Sequence, residues 1–417
     1  MLIRNAKIVD PGGIHHGETL DIRIDAGRIA EMGTALSASD DDHVVSTDNL
    51  HVSIGWFDSG VSFGEPGYEE RESLLNGLSV ASSSGFTHVM LNPDAQPHAD
   101  DVSALRNIAG IADSYQGPTQ IVHVGTLTQH MAGDDLSAML DMYRFGAVSF
   151  YDYKKSLCNA GILKTSLQYA SNWDAVIQSF PYDKELGNYG LVNESPNTVG
   201  LGLKRSPSIA ETVRIARDLA IAKYTDGKLH IPTISTAASI DLIDQAKANG
   251  INVTCSVSSN NLLHTDEELG TFNTNLKLQP VLRTASDRQA LLQGLRDGTI
   301  DMITTDHRPV NQEEKALEFD KALFGSIGLE SAYGCLTRVL DQDTLIRALT
   351  AGHERFGRSL KLEKGADACL TLYAPSSGMA DVNASKSQSK NMANHGLPAA
   401  GRVLGTINGA RFHINHD

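Results

Sequence analysis

Basic residues, cysteine pairs and long apolar runs are what this 417-residue chain has little of, and each shortage narrows what it can do. Lysine and arginine total 35 against 50 aspartates and glutamates, a formal net charge of −15. A nucleic-acid binder needs clustered cations to meet the phosphate backbone, so that class is set aside. The acidic surplus reads as solubility, or more sharply as an acidic face for a basic protein partner. Cys158, Cys255, Cys335 and Cys369 lie far apart and form no C-x-x-C. That argues against a disulfide framework and a structural zinc knot, and suits a reducing cytoplasm. No stretch reaches the roughly 18 uninterrupted apolar residues of a membrane span. Met1–Val9 lacks the apolar core and small-residue cleavage site of a signal peptide. There is no G-x-S-x-G, no Ser-His-Asp spacing and no phosphate loop; Gly200-Leu201-Gly202 reads as a turn.

What is present is ordinary globular material, 41% hydrophobic and 20% charged. The length allows two domains or one large barrel with an appendage. Short strands are expected at residues 2–9, 21–25 and 28–32, the last two around the turn Ala26-Gly27. Strand-like texture returns at 366–373 and 401–409, joined by a Ser/Asn/Gly-rich stretch from Ser376 to Gly396. Strands at both ends around a different middle predict a composite β-domain built by the two termini. Asp40-Asp41-Asp42 reads as a solvated loop. The middle alternates apolar strands (86–91, 119–124, 228–231, 251–257, 300–304) with helices (101–114, 209–223, 238–249). Such alternation favours a (β/α)8 barrel or a doubly wound sheet, and composition alone does not separate them.

The motifs do. Gly55-Trp56-Phe57-Asp58-Ser59-Gly60-Val61-Ser62-Phe63-Gly64-Glu65-Pro66-Gly67 resembles the first barrel strand of dihydroorotases and related cyclic amidohydrolases, P-G-hydrophobic-hydrophobic-D-x-H-x-H-F-R-E-P-G. The frame is kept in Gly55, Asp58, Phe63, Glu65, Pro66 and Gly67, while Gly60, Ser62 and Gly64 stand where the family has two metal-binding histidines and an arginine. Side chains at i and i+2 on a strand point the same way, so H-x-H aims two imidazoles at one ion. Glycine offers no donor, and serine is a poor zinc ligand. The resemblance runs along the whole chain. Asn76–Pro93 is similar to the family's G-x-x-A-A-x-x-G-G-[FV]-T segment, with Asn92 beside its substrate-binding asparagine. Tyr151-Asp152-Tyr153-Lys154 stands at F-[ST]-D-D-G, and Ser179 in the strand-five histidine context. His230-Ile231-Pro232-Thr233-Ile234-Ser235-Thr236 resembles H-I-x-H-[VI]-S-T with Thr233 at the ligand position. Lys277–Arg283 mirrors K-x-N-P-P-L-R, Asp301–Val310 mirrors D-x-[IV]-x-[ST]-D-H-A-P-H, and Gly328-Leu329-Glu330 matches G-x-E.

The resemblance implies an α/β fold: a (β/α)8 barrel over residues 55–356, with a small β-sandwich from residues 1–54 and 357–417. Family chemistry uses one or two zinc ions to polarise a carbonyl and make hydroxide, with the strand-eight aspartate moving the proton. Of the metal-contacting positions only Asp306 is kept; Gly60, Ser62, Tyr153, Ser179 and Thr233 replace the others. No zinc and no other cofactor is therefore expected, with Asp306 a vestige of the catalytic group. His230, His307, Asp152 and Asp306 are expected near the barrel mouth, hydrogen-bonding one another, with Tyr153 in the metal's space. Asn92, Arg283 and His307 are the candidate ligand-binding residues, a guanidinium suiting a carboxylate. His88 and His123 read as packed side chains, and Cys255 as a small core residue. The implied role is that of a non-catalytic relative in pyrimidine biosynthesis: a cytoplasmic homodimer that acts as structural partner of aspartate carbamoyltransferase. The alternatives are an active amidohydrolase with a displaced or single metal site, and a barrel that binds a small molecule.

Overall fold

The computed structural model describes residues 1–39, 42–357 and 359–415, so Asp40 and Asp41 of the acidic run lie outside the described residues. Eight parallel strands follow one another around a barrel: Trp56–Val61, Phe86–Leu91, Gln120–Gly125, Ser149–Phe150, Val176–Gln178, Leu229–Ile231, Val253–Ser258 and Met302–Thr304. Strands such as Phe86–Leu91 are buried along their whole length. Barrel strands have one face in the barrel core and the other under helices, which is why they read as apolar runs without alternation. The helices between them start at side-chain caps set by the sequence. Asp101 accepts from the Ala104 amide, Asp341 from Thr344, and Thr284 and Asp287 form a reciprocal box.

The first and eighth strands meet through side chains. Buried Asp58 accepts from the hydroxyls of Thr304 and Thr305 and from the Thr305 amide, and Thr304 Oγ also lies 3.0 Å from Gly60 O. Burial pushes the Asp58 carboxyl up to about 6 despite these donors. The aspartate kept from the motif is thus the clasp of the barrel.

The two termini build one eight-stranded sheet. Arg411–Ile414, Pro398–Asn408 and Cys369–Met379 come from the C-terminal side, and Cys369–Met379 pairs with His51–Ile54. Leu2–Ile8, Thr19–Asp25 and Arg28–Gly33 continue the order, with Val44–Val45 paired to the first of these. The sheet bends over so that Arg28 bridges Asp367, and it encloses Ile3, Ile22, Ile29, Leu370, Leu372 and Ile407. The two layers of the sandwich are therefore a single folded sheet. Trp56 joins the two units: its ring lies 4.6 Å from Tyr333 and 5.6 Å from Tyr373, and its amide donates to Thr371 Oγ1.

The Ser376–Gly396 stretch does more than connect strands. The first strand of the C-terminal hairpin runs on to Met379, and the remainder is tied to the barrel. Ser387 Oγ donates to Glu72, Ser385 Oγ donates to Glu330, and Asn394 Oδ1 pairs with His264 Nε2 at 2.9 Å. Its serines and asparagines serve as docking groups.

Candidate active site

The C-terminal ends of the barrel strands converge on a small polar cavity lined by Gly60, Asn92, Tyr151, Tyr153, Lys154, Gln178, Thr233, Ser256 and Asp306, among others. Its free volume is about 10 Å³, at the lower limit for one water molecule. The sequence places the substituted positions Gly60, Tyr153 and Thr233 together here, around Asp306.

An ion pair fills the centre. Lys154 Nζ donates to Asp306 Oδ2 at 2.7 Å, and the side chains are only 5% and 8% exposed. Burial dominates both groups: it pushes the Asp306 carboxyl up and the Lys154 ammonium down, and their mutual attraction opposes each shift. Lys154 Nζ and the Arg308 guanidinium lie 5.3 and 5.5 Å from the centre of the Tyr153 ring. Arg308 Nε in turn stands 4.0 Å from Asp94, which accepts from Ser62 Oγ at 3.0 Å; Asn92 Nδ2 donates to Ser62 Oγ at 3.2 Å. Two carboxylates and two cations are interleaved around a tyrosine, an arrangement of balanced charge. Three residues that line the cavity, Lys154, Thr233 and Asp306, hold left-handed backbone conformations, with φ of 52°, 50° and 50°. Such conformations cost non-glycine residues about 1–3 kcal/mol each and cluster at functional sites.

The other expected site residues are distributed differently. Ser179 is buried outside the cavity, donating to Asp218 Oδ2 at 2.6 Å on the helix Ile209–Thr225; its neighbour Gln178 is the cavity-lining residue of that strand. Arg283 is also buried away from Asp306. It donates to Asn193 Oδ1, the Ser206 carbonyl and Ser235 Oγ at 2.8–3.0 Å, with Glu211 3.9 Å away. Its fork is engaged by the protein itself, a structural use in place of the expected carboxylate grip. Asp152 turns to the Leu127 and Thr128 amides, at 2.9 and 3.0 Å. His230 sits within the barrel wall between Thr254 and Ser256, its imidazole held neutral by burial. His307 Nδ1 accepts from the amides of Gly328 and Leu329, and burial brings its pKa down to about 3. The expected cluster of His230, His307, Asp152 and Asp306 therefore does not form; each has its own partners, and of the four only Asp306 lines the cavity. Lys154, Gln178, Asp94 and Arg308 are the residues that sequence comparison by motif overlooked. The signal for Lys154 was its place directly after Tyr153, opposite the one retained acid.

This donor set does not fit a catalytic zinc, which takes three protein ligands from His, Cys or carboxylate and leaves one position open. Around Asp306 stand a glycine, a threonine, a glutamine, tyrosines and an ammonium already bonded to the carboxylate. An ammonium donates protons and has no lone pair to give a metal.

The whole architecture is shared with cyclic amidohydrolases of known structure. L-hydantoinase (dihydropyrimidinase) from Arthrobacter aurescens superposes with a TM-score of 0.86 at 19% identity, covering 100% of this chain and 97% of that one. D-hydantoinase (dihydropyrimidinase) from a Thermus species gives 0.82 at 18% identity, over 99% and 95%. Barrel and terminal sheet together are the fold of that class. The sequence is nearer to another branch of it. The dihydroorotase of Pelotomaculum thermopropionicum is 36% identical across 99% of this chain and 97% of its own length, and that of a Thermoanaerobacter species is 32% identical across 98% and 95%. A family model described as Dihydro-orotase-like matches residues 52–239. This chain belongs to the dihydroorotase family.

Proposed function

We propose that this protein is a dihydroorotase-family barrel that has lost hydrolysis and serves pyrimidine biosynthesis as a structural partner of aspartate carbamoyltransferase. The observation that carries the first half is the buried Lys154–Asp306 pair in a mouth with about 10 Å³ of free space. The ammonium supplies beside Asp306 the positive charge that a metal supplies in a hydrolase, but it cannot generate hydroxide or polarise a carbonyl as a metal does. With no room for a ring substrate, Asp306 has no proton to move. The same small volume argues against a barrel that binds a small molecule at its mouth. No zinc is held there on this reading.

The second half rests on what is kept. Asp58 remains in a strand whose chemistry has gone, Glu65, Pro66 and Gly67 remain in the turn after it, and Asp58 clasps the barrel. A scaffold needs this outer shape and not the metal. We infer a cytoplasmic homodimer that binds the carbamoyltransferase through an interface of upward of about 1,000 Å², weakened by salt because the chain is acidic.

The likeness to dihydroorotases favours a second reading, an active dihydroorotase, which here would need a displaced or single metal site. One preparation distinguishes the two. Purified protein is assayed for cyclisation of carbamoyl aspartate and hydrolysis of dihydroorotate, then co-expressed with aspartate carbamoyltransferase and sized by light scattering at low and high salt. No turnover and a joint complex are expected. Turnover that is lost in Asp306→Ala refutes the non-catalytic reading; separate elution at both salts, with the carbamoyltransferase fully active alone, refutes the scaffold.

A further inference from the structure

At the opposite end of the barrel from the mouth, three metal-ligating side chains converge in the joint between barrel and terminal sheet. His88 lies on the second barrel strand, His353 on the helix Gly352–Phe356, and Cys369 opens the strand Cys369–Met379. One ligand atom from each lies within 4.8 Å of the other two, and all three residues are buried. We propose that His88, His353 and Cys369 bind one thiophilic d10 cation, Zn²⁺ or Cu(I), that fastens the terminal sheet to the barrel.

The hydrogen bonds around the cluster orient its donors. His353 Nε2 lies 2.7 Å from the Gly55 carbonyl, an acceptor only, so Nε2 carries the proton and Nδ1 the lone pair. Thr87 Oγ1 donates to the Trp56 carbonyl at 3.2 Å and so faces His88 Nδ1, 3.1 Å away, as an acceptor. That puts the proton of His88 on Nδ1 and the lone pair on Nε2. An imidazole whose N–H is held by a carbonyl or hydroxyl oxygen, with the other nitrogen turned to the ion, is the usual arrangement around a protein-bound metal. Cys369 Sγ lies 3.3 Å from the same Thr87 hydroxyl. The rings are also held by packing, Phe57 lying 6.3 Å from His88 in a stack and 5.1 Å from His353 edge-on.

The donor chemistry selects the ion class. Two imidazoles and a thiolate suit zinc and copper over magnesium or calcium, which take oxygen. On binding, the Cys369 S–H bond gives way to a sulfur–metal bond and its proton passes to solvent; no electron is transferred. Cu(I) with one thiolate makes a neutral three-coordinate centre, which costs little charge burial. Zn²⁺ leaves one positive charge and a fourth position for water. Either ion ties together residues 281 positions apart, His88 and Cys369, across the joint made by Trp56. The site is independent of the proposed function, because it shares no residue with the mouth.

The test uses the full chain, stripped of metal by chelation. It is titrated with Co²⁺ as a spectroscopic substitute for zinc and, separately, with Cu(I) under anaerobic conditions against a chromogenic chelator. The expected result is one equivalent of at least one ion, with a thiolate-to-cobalt charge-transfer absorption or retained copper, and a rise in thermal midpoint. Affinity falls at least about tenfold, the lower bound for loss of even an outer partner of a metal ligand, in Cys369→Ser and in His353→Gln. It is unchanged in Cys158→Ser, which removes the exposed thiol. If the unaltered protein binds neither ion, the proposal fails whatever the variants do. It fails equally if binding survives Cys369→Ser or disappears in Cys158→Ser.

Discussion

Replacing Lys154 with methionine removes the ammonium from the barrel mouth while keeping most of the aliphatic stem in place. Asp306 is then left as a buried carboxylate, 8% exposed, without the cation 2.7 Å away. Breaking a buried pair by deleting one partner costs about 3–5 kcal/mol, because the remaining charge stays out of water uncompensated. Lys154→Met is therefore expected to lose about 3–5 kcal/mol in urea unfolding at pH 8. Asp306→Asn, chosen because asparagine tolerates the positive φ at this position, is expected to lose a similar amount by stranding the lysine. The double variant strands neither, so its loss is smaller than the sum by about 2 kcal/mol or more. The pH dependence has a definite sign. In Lys154→Met, burial acts on Asp306 with the Arg308 guanidinium left to oppose it, and raises its pKa further above the ordinary carboxylate value. The folded protein then holds a proton that the unfolded chain releases, so stability falls as pH rises through that window. The deficit at pH 5 should be smaller than at pH 8. Losses that add within about 0.5 kcal/mol, the behaviour of independent sites, would refute the pairing on which the closed mouth depends.

Three further outcomes follow from other parts of the fold. His307, with its pKa brought down to about 3, stays neutral when folded but takes up a proton in the unfolded chain below about 6.5. Its contribution is complete above that value and lost as pH falls toward 3, roughly 3 kcal/mol by pH 4; NMR should find an imidazole that does not titrate between pH 5 and 8. Asp58→Ala unpairs the Thr304 and Thr305 hydroxyls and the Thr305 amide, and a loss of about 3 kcal/mol or more is expected in denaturant unfolding. Unchanged stability would mean that the barrel is closed by other contacts. Gly85→Ala places a Cβ 2.5 Å from the Trp56 ring at a φ of +98°. A loss of about 2 kcal/mol or more is expected, read as a lower thermal midpoint, whereas Gly110→Ala, which meets no atom within 4 Å, should be neutral or stabilising.

Much of the fold was legible because its signals are local. Apolar runs such as Phe86–Leu91 and capped helices such as Val102–Ala112 lie within a residue or two of where the chain itself places them. The terminal sheet was legible as strands at both ends, but its bend onto itself depends on the Arg28–Asp367 bridge, a contact between distant residues. At the mouth, the motif located Gly60, Tyr153, Thr233 and Asp306, since each occupies a fixed place at a strand end. It did not locate the partner of Asp306, because Lys154 lies outside the positions where the family's ligands stand and meets Asp306 only across 152 residues of chain. At the end of strand five the side chain that reaches the cavity is one residue from the position the motif points to. On a strand, a one-residue slip exchanges the two faces, so Ser179 turned out to bond Asp218 while Gln178 lines the cavity. Arg283 kept its place in the motif while its donors turned to Asn193, Ser206 and Ser235, a change of partner that no single sequence records.

The pairing of His51–Ile54 with Cys369–Met379 has a consequence for how the protein is made. The Trp56 amide must find Thr371, 315 residues later in the chain. At about 5–20 residues per second the ribosome needs roughly 15–60 s to deliver that partner. Throughout that interval the edge of His51–Ile54 and the indole of Trp56 belong to an unfinished sheet, and an open strand edge invites pairing with other chains. Slowing translation late in the message lengthens that interval and should raise the share that aggregates.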